Sequence, residues 1–459
     1  MTVVDGPNSV RLNLPTARSR GIGYQNLLDT DTHHVPDVLR QQNPFWYTSD
    51  DVPTKRYTSR EFFELEKEKL WKTTWQMACR EDDIAEVGDT LVYEITDMSF
   101  LLVRSAPDRI QAYWNACLHR GRLLREYDGN TPDLRCPFHG YCWELDGSLK
   151  QVPAAWDFPH VDRDAFHLPE VAIGYWGGFV FINPDPNAAP FAEHVAGLDA
   201  QFERWPLERR FKEAHVAKII HANWKVVQEA FMEAYHVVAT HPQLLAGIGD
   251  ENTQYDAWNN FSRAITLNGT PSPHIGFEPS EQDRLDAMLD RRLDEPRMMI
   301  VPDDSTARAT AANGARATLR PLLGDHVDDL CDAELVDSFY YTLFPNFHPW
   351  GAYNRIVYRF RPNGDDHNSA IMECMYLSPY DASKPKPPSV PIHWLTAEDD
   401  WTLAPELGVL ACVFNQDIFN LPKVQRGLRT MQKPGVTLAN YQESKIRHFH
   451  SLLENKLDL

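Results

Sequence analysis

The sequence predicts an α+β protein with a β-rich N-terminal domain and a C-terminal domain of mixed helices and strands. At 459 residues the chain is long enough for two domains with full cores. Within 89–183, short runs rich in β-branched and aromatic residues alternate with turn residues, which is typical of strands. The stretch 224–238 lacks Gly and Pro and predicts one helix, and strand-like runs follow near 336–344, 353–361 and 368–377.

The domain boundaries follow from these elements. Residues 1–44 are polar and rich in Asn and Asp, which predicts an N-terminal arm or a subunit-contact segment. The β-rich domain is expected over 45–185, because Pro184-Asp185-Pro186 interrupts regular structure there. The C-terminal domain is expected over 200–459. The predicted strands of the first domain are Thr90–Ile95, Ser99–Val103, Gln111–Ala116 and Gly178–Ile182.

The β-rich domain contains two short motifs with metal-ligand residues. Cys117-Leu-His119 is followed, after sixteen intervening residues, by Cys136-Pro-Phe-His139. Two thiolates and two imidazoles are the ligand set of a Rieske [2Fe–2S] centre, in which two His replace two Cys on one iron. We therefore expect the two cysteines to hold the ferric iron and the two histidines to hold the iron that accepts the electron.

A Cys₂His₂ zinc site uses the same atoms and is the alternative. Zinc sites usually begin with two cysteines close together, whereas each half here carries one Cys and one His, which favours the cluster. Gly121 and Gly140 follow the two halves and allow the backbone to fold tightly around it. Respiratory Rieske proteins add a cysteine to each half, but Arg122 and Phe138 stand at those places, which favours the lower-potential type.

A second group of ligand residues lies on and just beyond the predicted helix. Glu229, Glu233 and His236 are three or four residues apart, which places them on one helix face. Pro242 disfavours helical geometry at His241, so the helix is expected to end there. Two His and one carboxylate form the facial triad of non-haem Fe(II) oxygenases, which leaves positions open for O₂. Isolated H-x₄-H pairs are also common without metal, so the interpretation of this pair as a metal site depends on the Cys/His motif upstream.

The two motifs together resemble the large (alpha) subunit of Rieske non-haem iron aromatic-ring-hydroxylating oxygenases. The family signature is N-W-K followed by acidic-x-Y-H-x₄-H, and this chain has Asn223-Trp224-Lys225, then Glu233-Ala-Tyr-His236 and His241. The resemblance covers the chain from about Trp46 to Gln425-Arg426-Gly427. It implies a Rieske [2Fe–2S] β-domain followed by a helix-grip (START-like) catalytic domain with an antiparallel sheet.

The resemblance also implies roles for the second group. His236 and His241 match the two imidazole ligands of the mononuclear Fe(II). The family's carboxylate ligand precedes a helix that ends in V-Q-x-G, which selects Asp417 in this chain. Asp399 and Asp400 are weaker alternatives, because they lack the helix that follows.

Glu233 matches the acidic residue that, in the family, bridges the Rieske His of a neighbouring subunit to an iron-ligand His, which gives it a catalytic role. Ring dioxygenases usually carry Asp at this place, and they usually have Asn where Ala230 follows Glu229. A bridging Glu resembles the branch that acts on quaternary ammonium compounds. Either carboxylate can accept hydrogen bonds from two imidazole N–H groups, so the bridging role is expected in both cases.

Candidate residues for the substrate pocket are Glu229, Asn346 and His348. The last two lie in a segment, 344–348, that matches the F-P-N segment beside the family's substrate cavity. Residues 278–330 are rich in Asp, Arg and Ala and predict either a surface insertion acting as a lid near the pocket mouth or a helical hairpin without a functional role.

The resemblance implies the terminal component of an oxygenase that uses O₂ to hydroxylate or dihydroxylate an aromatic or related small organic substrate. A monooxygenase or demethylase acting on a methoxy or quaternary ammonium compound is the alternative. Two alternatives of other classes are an electron carrier without oxygenase activity and a domain that binds a hydrophobic ligand without chemistry. Iron content and O₂ uptake separate these.

The expected cofactors are one [2Fe–2S] cluster and one Fe(II) per chain. Electrons from NAD(P)H are expected to come from a separate reductase, directly or through a ferredoxin, because the chain shows neither a G-x-G-x-x-G after a strand nor a flavin motif. In the family the two centres of one chain are too far apart for fast transfer. The resemblance therefore implies a ring of three subunits, either a homotrimer or an α₃β₃ assembly with a small subunit.

Composition predicts a cytoplasmic protein. A net charge of −20 without a basic stripe makes nucleic acid an unsuitable partner. The longest apolar run, 171–182, is too short to span a bilayer, and residues 1–19 lack a hydrophobic signal core. The five cysteines outside the motifs are scattered and predict free thiols in a reducing compartment: Cys79, Cys142, Cys331, Cys374 and Cys412.

Overall fold

The chain folds into two compact units in a computed structural model that describes residues 18–292 and 295–459. One unit consists of the described part of Met1–Phe63 with Val195–Arg361 and His367–Leu459, and the other of Glu64–His194 with Pro362–Asp366. The second unit therefore begins about twenty residues later than the predicted boundary at 45. Residues 1–17 of the predicted N-terminal arm lie outside the described residues.

Runs of consecutive strands are separated by groups of helices, as expected for an α+β protein. The α-helices of the described residues are α1 (Tyr24–Leu28), α2 (Asp37–Arg40), α3 (Lys55–Thr58), α4 (Arg60–Glu66), α5 (Phe191–His194), α6 (Leu198–Phe202), α7 (Trp224–Glu229), α8 (Val237–Thr240), α9 (Glu281–Met288), α10 (Ala307–Leu323), α11 (Asp332–Val336), α12 (Leu410–Thr430) and α13 (Ser444–Leu457). The strands are β1 (Val52–Pro53), β2 (Gln76–Arg80), β3 (Asp89–Ile95), β4 (Met98–Ala106), β5 (Arg109–Trp114), β6 (Gly129–Asn130), β7 (Leu134–Arg135), β8 (Cys142–Trp143), β9 (Leu149–Gln151), β10 (Glu170–Trp176), β11 (Phe179–Asn183), β12 (Arg210–Ile220), β13 (Ile248–Ala257), β14 (Phe261–Asn268), β15 (Ser338–Leu343), β16 (Phe347–Pro349), β17 (Ile356–Asn363), β18 (Asp366–Pro379), β19 (His393–Leu395) and β20 (Gly435–Val436).

The unit that contains Glu64–His194 is built on β-sheets. A seven-stranded sheet has the order β2-β11-β10-β5-β4-β3-β6, and a separate three-stranded sheet has the order β7-β8-β9. The predicted strands in this region are confirmed as β3, β4, β5 and β11. Along the chain, the first half of the Cys/His motif precedes β6 and β7, and the second half forms the connection between β7 and β8.

The other unit is built on an eight-stranded sheet with the order β13-β14-β15-β16-β17-β18-β12-β19. Its strand pairs are antiparallel wherever the pairing is resolved, except for β12 and β19, which run parallel. The helix α13 packs on β13 and β14, and α12 packs on α7. The three predicted strand regions correspond to β15, β17 and β18, so the predicted α+β class with an antiparallel sheet is confirmed.

The prediction of one continuous helix over 224–238 is wrong. The helix α7 ends at Glu229, and helical structure returns only at Val237 in α8. Side chains take the backbone hydrogen bonds that would continue the helix: the Tyr255 hydroxyl accepts from the Ala234 N–H at 3.0 Å, and Glu233 Oε2 accepts from the His236 N–H at 3.0 Å. The expected end at His241 is confirmed, since α8 stops at Thr240.

Residues 278–330 form helices that are tied to the sheet by buried ion pairs. Arg308 on α10 donates to both carboxylate oxygens of Asp337, at 2.6 and 2.8 Å. Arg316, two turns later, donates to Asp332 Oδ1 at 2.7 Å. The segment is therefore anchored at α10, and a role as a lid stays a prediction.

We expect Asp337→Ala to lower the free energy of unfolding by about 1.5–3 kcal/mol, because the buried Arg308 guanidinium loses its bidentate partner and keeps only Asp31 as an acidic partner. Chemical denaturation followed by circular dichroism measures this. Asp328→Ala is the matched control, since it removes the exposed partner of Arg320 on the same helix and should leave the midpoint unchanged. Equal shifts for the two variants would contradict the structural role of the buried pair.

The seven cysteines are all free thiols, and Cys412 alone among them is exposed. Within the described ranges, no helix is both long and apolar enough to cross a membrane.

Candidate functional site

The two halves of the Cys/His motif form loops with the same backbone pattern. The Cys117 N–H donates to the Arg122 carbonyl, and the Gly121 N–H donates back to the Cys117 carbonyl, both at 2.8 Å. In the second loop Cys136 and Gly140 make the equivalent bonds, at 2.8 Å to the Tyr141 carbonyl and 3.0 Å to the Cys136 carbonyl. Both glycines adopt positive φ, 76° and 80°, which explains why a residue without a Cβ closes each loop.

The predicted ligand side chains of the two loops lie together. Cys117 and Cys136 are buried and their thiols interact, and the rings of His119 and His139 are 4.7 Å apart between centroids. Burial raises the pKa of the Cys117 thiol, and burial together with the neighbouring His139 lowers the pKa of His119. These shifts disfavour a free thiolate at Cys117 and an imidazolium at His119, so the neutral imidazole of His119 is available as a ligand.

An unpartnered polar atom supports a metal group at these loops. His119 Nδ1 is buried without a hydrogen-bond partner among the described residues, although its ring stacks on Tyr141 at 4.7 Å. Buried polar atoms normally have a partner, and a metal ion is one. Two thiols and two imidazoles on adjacent loops fit a [2Fe–2S] cluster of the Rieske type.

Asn115 holds the first loop and was missed by the sequence analysis. Its buried side chain accepts from the N–H groups of Leu124 and Arg125, at 3.1 and 3.0 Å, and donates to the Arg125 carbonyl at 2.7 Å. The only signal in the sequence is a polar Asn at the end of an otherwise apolar predicted strand, two residues before Cys117.

In the other unit, His236, His241 and Asp417 converge on one point. Their ligand-type atoms all lie within 4.8 Å of one another. Asp417 Oδ1 is 3.0 Å from His241 Nε2 and 3.7 Å from His236 Nε2. Asp417 lies on α12 and its side chain is only 5% exposed, while the two histidines flank α8.

The Nδ1 atoms of His236 and His241 are held by hydrogen bonds. His236 Nδ1 lies 2.7 Å from Glu233 Oε1, so it must donate, which leaves the lone pair on Nε2. His241 Nδ1 lies 2.9 Å from Gln416 Oε1. The side-chain amides of Gln416 and Gln243 each donate to the oxygen of the other. His241 therefore also presents an Nε2 lone pair toward Asp417.

This arrangement fits a metal ion. Two imidazole nitrogens and a carboxylate oxygen face one another at a separation that allows them to share one cation. Burial lowers the pKa of His236, but the charge and hydrogen bond of Glu233 and the charge of Asp417 outweigh it and raise that pKa to about 9. Positive charge is therefore favoured at this point. Fe(II) would supply that charge, with the two histidines and Asp417 as its facial triad of ligands.

The alternative carboxylates do not reach this point. Asp399 Oδ2 accepts from the Thr396 N–H at 2.6 Å, and Asp400 Oδ1 accepts from the Thr402 N–H at 2.8 Å. Asp400 is exposed and Asp399 is half-buried, and both stabilise the loop before α12 rather than facing the two histidines.

Glu229 does not share a face with Glu233. The Tyr57 hydroxyl donates to Glu229 Oε2 at 3.0 Å, and His450 Nε2 lies 2.9 Å from Glu229 Oε1. Arg56 can only donate, and it lies 3.2 Å from His450 Nδ1, so His450 must carry its proton on Nε2 and donate it to Glu229. Burial is the main cause that raises the pKa of Glu229, to about 8.

Asn346 and His348 are buried and have partners within the protein. Asn346 Nδ2 donates to the Phe360 carbonyl at 2.7 Å, which ties the turn between β15 and β16 to β17. His348 lies between Thr342 Oγ1 and Gln228 Oε1, each at 3.0 Å. Their part in a substrate pocket stays a prediction.

Known proteins resemble both units. The family described as "Ring hydroxylating alpha subunit (catalytic domain)" matches residues 200–458, more than half of the chain, and "Rieske [2Fe-2S] domain" matches residues 74–162. These matches indicate a [2Fe–2S] cluster in the unit with the Cys/His loops and a mononuclear iron in the unit with the His/His/Asp site.

Two curated relatives are similar to part of the chain. The carnitine monooxygenase oxygenase subunit of Escherichia coli K12 is 31% identical over 235 residues, which cover 50% of this chain and 60% of that protein. The anthranilate 1,2-dioxygenase large subunit of Acinetobacter baylyi is also 31% identical over 235 residues, which cover 50% of this chain and 49% of that protein. The matched region therefore spans between about half and three-fifths of the length of these relatives.

A solved structure has the same fold. It is a quaternary ammonium Rieske monooxygenase studied for carnitine oxidation by gut microbiota, with a TM-score of 0.62 and 18% sequence identity over 90% of this chain and 96% of that one. At this identity the similarity establishes the fold alone.

Proposed function

The chain belongs to the family of ring-hydroxylating alpha subunits, and from this we propose that it is the terminal oxygenase component of a Rieske-type system. Its reaction is the O₂-dependent hydroxylation of a small organic substrate, with electrons from a separate NAD(P)H-dependent reductase, directly or through a ferredoxin. The single observation that carries the proposal is the convergence of His236, His241 and Asp417 in a chain that also has the complete Cys/His loops. An electron carrier alone would need only the loops.

The proposed ligands divide between two domains. Cys117, His119, Cys136 and His139 hold the cluster in a domain proposed over 45–185, and His236, His241 and Asp417 hold Fe(II) in a domain proposed over 200–459. When bound, these groups supply one-electron transfer and the activation of O₂.

The protein's own residues orient these ligands. Glu233 fixes the ring of His236 through Nδ1, and Gln416 does the same for His241, so both Nε2 atoms point at Asp417. Hydrogen bonds of this kind set the tautomer and raise the basicity of ligating imidazoles. We propose that Glu233 also accepts a hydrogen bond from a cluster-ligating His of a neighbouring subunit, which requires a ring of three subunits, with or without a small subunit.

A second candidate reaction is the monooxygenation of a quaternary ammonium compound. It is favoured by Glu233 at the place where ring dioxygenases usually carry Asp, and by the similarity to a carnitine monooxygenase subunit. Carnitine and anthranilate, the compounds named for the two relatives, both carry a carboxylate, so both belong in a substrate panel.

Quantitation of iron and acid-labile sulfide, followed by O₂ uptake and product analysis with a generic reductase, tests the proposal. We expect about three irons and two sulfides per chain and product from at least one compound of the panel. Cys136→Ser should lose the sulfide and the visible colour, because a hydroxyl is a poor substitute for a thiolate on ferric iron. Stoichiometric zinc without sulfide would overturn the cluster, and two irons without product would leave only the electron carrier.

A further inference from the structure

A buried lysine on α13 has no use in the site described so far. Lys445 is only 1% exposed, and its Nζ donates to the Tyr340 carbonyl at 2.8 Å and lies 4.6 Å from the centre of the Tyr340 ring. An ammonium group has three N–H donors, and this carbonyl accepts one of them. Within the described residues no carboxylate pairs with Lys445, and burial lowers its pKa well below the ordinary value. A buried cation without a counter-ion is costly unless something else neutralises it.

Two further donors near this lysine lack acceptors. Gln228 is completely buried, and its Oε1 faces His348 Nε2 at 3.0 Å, while its Nε2 has no partner among the described residues. The indole Nε1 of Trp350 is likewise buried without a partner in the described part of the chain. Buried donors are normally paired, because an unpaired one loses its hydrogen bond to water without a replacement.

Contacts with neighbouring residues of the sheet link these donors. The Trp350 ring packs against the Tyr340 ring, 5.4 Å between centroids, and Tyr340 is the residue that Lys445 contacts. Gln228 contacts His348, which lies 3.0 Å from the hydroxyl of Thr342, two residues after Tyr340 on β15. The lysine, indole and amide therefore adjoin one short part of the sheet, and the indole and amide N–H groups have no acceptor among the described residues.

A continuous series of aromatic rings leads from this region to the helix that carries Asp417. Phe414 lies one turn before Asp417 on α12. The centroid distances along the series are 5.4 Å for Tyr340–Trp350, 6.0 Å for Trp350–Tyr358 and 5.9 Å for Tyr358–Phe414.

We propose that Lys445, Gln228 and Trp350 form a carboxylate subsite that binds the acid group of an organic acid substrate. A carboxylate has about four lone-pair sites on two oxygens, so it can accept from all three donors and neutralise the ammonium. The rest of the substrate then lies along the aromatic rings, with its reacting carbon toward His236, His241 and Asp417. The inference rests on the proposed function, and it names the substrate class as small organic acids with an apolar or aromatic body.

Binding to the iron-loaded protein tests this subsite, with probes that differ only in the acid group. The probes are anthranilate, benzoate and L-carnitine, each compared with its own carboxamide by isothermal titration calorimetry. We expect at least one acid to bind about tenfold or more tightly than its amide, because only the acid neutralises Lys445. Equal binding of acid and amide in all three pairs, or no binding of any acid, overturns the inference.

Three variants locate the effect. Lys445→Met removes the charge while filling the same volume, and should weaken binding of the preferred acid by about tenfold to a hundredfold and leave amide binding unchanged. Lys456→Met, a half-buried lysine on the same helix, is the matched control and should change neither. Unchanged acid binding in a folded Lys445→Met protein overturns the inference.

If Lys445→Met fails to fold, as judged by circular dichroism and iron content, Trp350→Phe carries the test. It keeps an aromatic ring and removes the N–H, so acid binding should weaken several-fold relative to amide binding, and an unchanged ratio overturns the inference. Product analysis keeps the two proposals apart. A bound acid that is never oxygenated counts against the oxygenase function, whereas equal oxygenation of acid and amide by wild type and Lys445→Met counts against the subsite.

Discussion

Asp417→Ala is expected to remove one iron per chain and to abolish product formation while the visible spectrum of the cluster stays unchanged. Asp417 supplies the only carboxylate oxygen within 4.8 Å of both imidazole nitrogens in the described structure. Two neutral imidazoles alone bind Fe(II) weakly, because carboxylate oxygen supplies the charge and the third facial position. We expect product formation to fall by at least about a hundredfold, since changes even to the residues around metal ligands cost ten- to a hundredfold.

The measurements are iron content, acid-labile sulfide and product yield in parallel. His236→Ala should behave like Asp417→Ala, because its Nε2 is one of the three converging atoms. Asp400→Ala is the control, since it removes an exposed carboxylate that accepts from Thr402 and Asn415 instead. Loss of iron in Asp400→Ala together with its retention in Asp417→Ala would transfer the ligand role to the other carboxylate.

The ligand residues could be predicted from the sequence because their spacing is local or belongs to a family pattern. Each half of the Cys/His motif spans only a few residues, and the glycine that closes each loop is part of the same pattern. Asp417 was selected by a helix expected to follow it. The helix is present and extends through Val424-Gln425-Arg426-Gly427, but it begins at Leu410, so Asp417 lies within it instead of before it. In each case a short stretch of sequence determines both the local backbone and the direction of the side chain.

The break after α7 could not be predicted, because tertiary contacts cause it. Nothing in 230–236 excludes a helix, but the Tyr255 hydroxyl on β13 takes the Ala234 N–H and the Glu233 carboxylate takes the His236 N–H. The pairing of Gln243 with Gln416 joins residues 173 positions apart and orients His241 without any local signal. Lys445 was missed for the same reason, since a single lysine in an amphipathic helix looks like a surface residue until its burial is known.

Glu233→Gln is expected to leave three irons bound and yet to stop electron transfer between the two centres. The carboxylate uses both oxygens on His236, accepting from ring Nδ1 at 2.7 Å and from the backbone N–H at 3.0 Å. An amide has one oxygen, so it can replace only one of these bonds, and its NH₂ group would oppose the other donor. The iron should remain, because Nε2 of both histidines and Asp417 are untouched. Glu233→Ala removes both bonds and should have the same effect.

A single-turnover experiment measures the consequence. When O₂ and substrate are mixed with protein whose cluster has been reduced beforehand, the wild type should reoxidise its cluster, whereas Glu233→Gln should do so about a hundredfold more slowly or not at all. Glu233→Asp should recover part of the rate, because it restores a two-oxygen acceptor on a shorter stem. Glu229→Gln is the discriminating comparison, since the carboxyl group of Glu229, four residues earlier in the chain, accepts from Tyr57 and His450 instead. Rapid reoxidation in Glu233→Gln and its loss in Glu229→Gln would place the route between the centres along Glu229, and Glu233 would then act only by orienting His236.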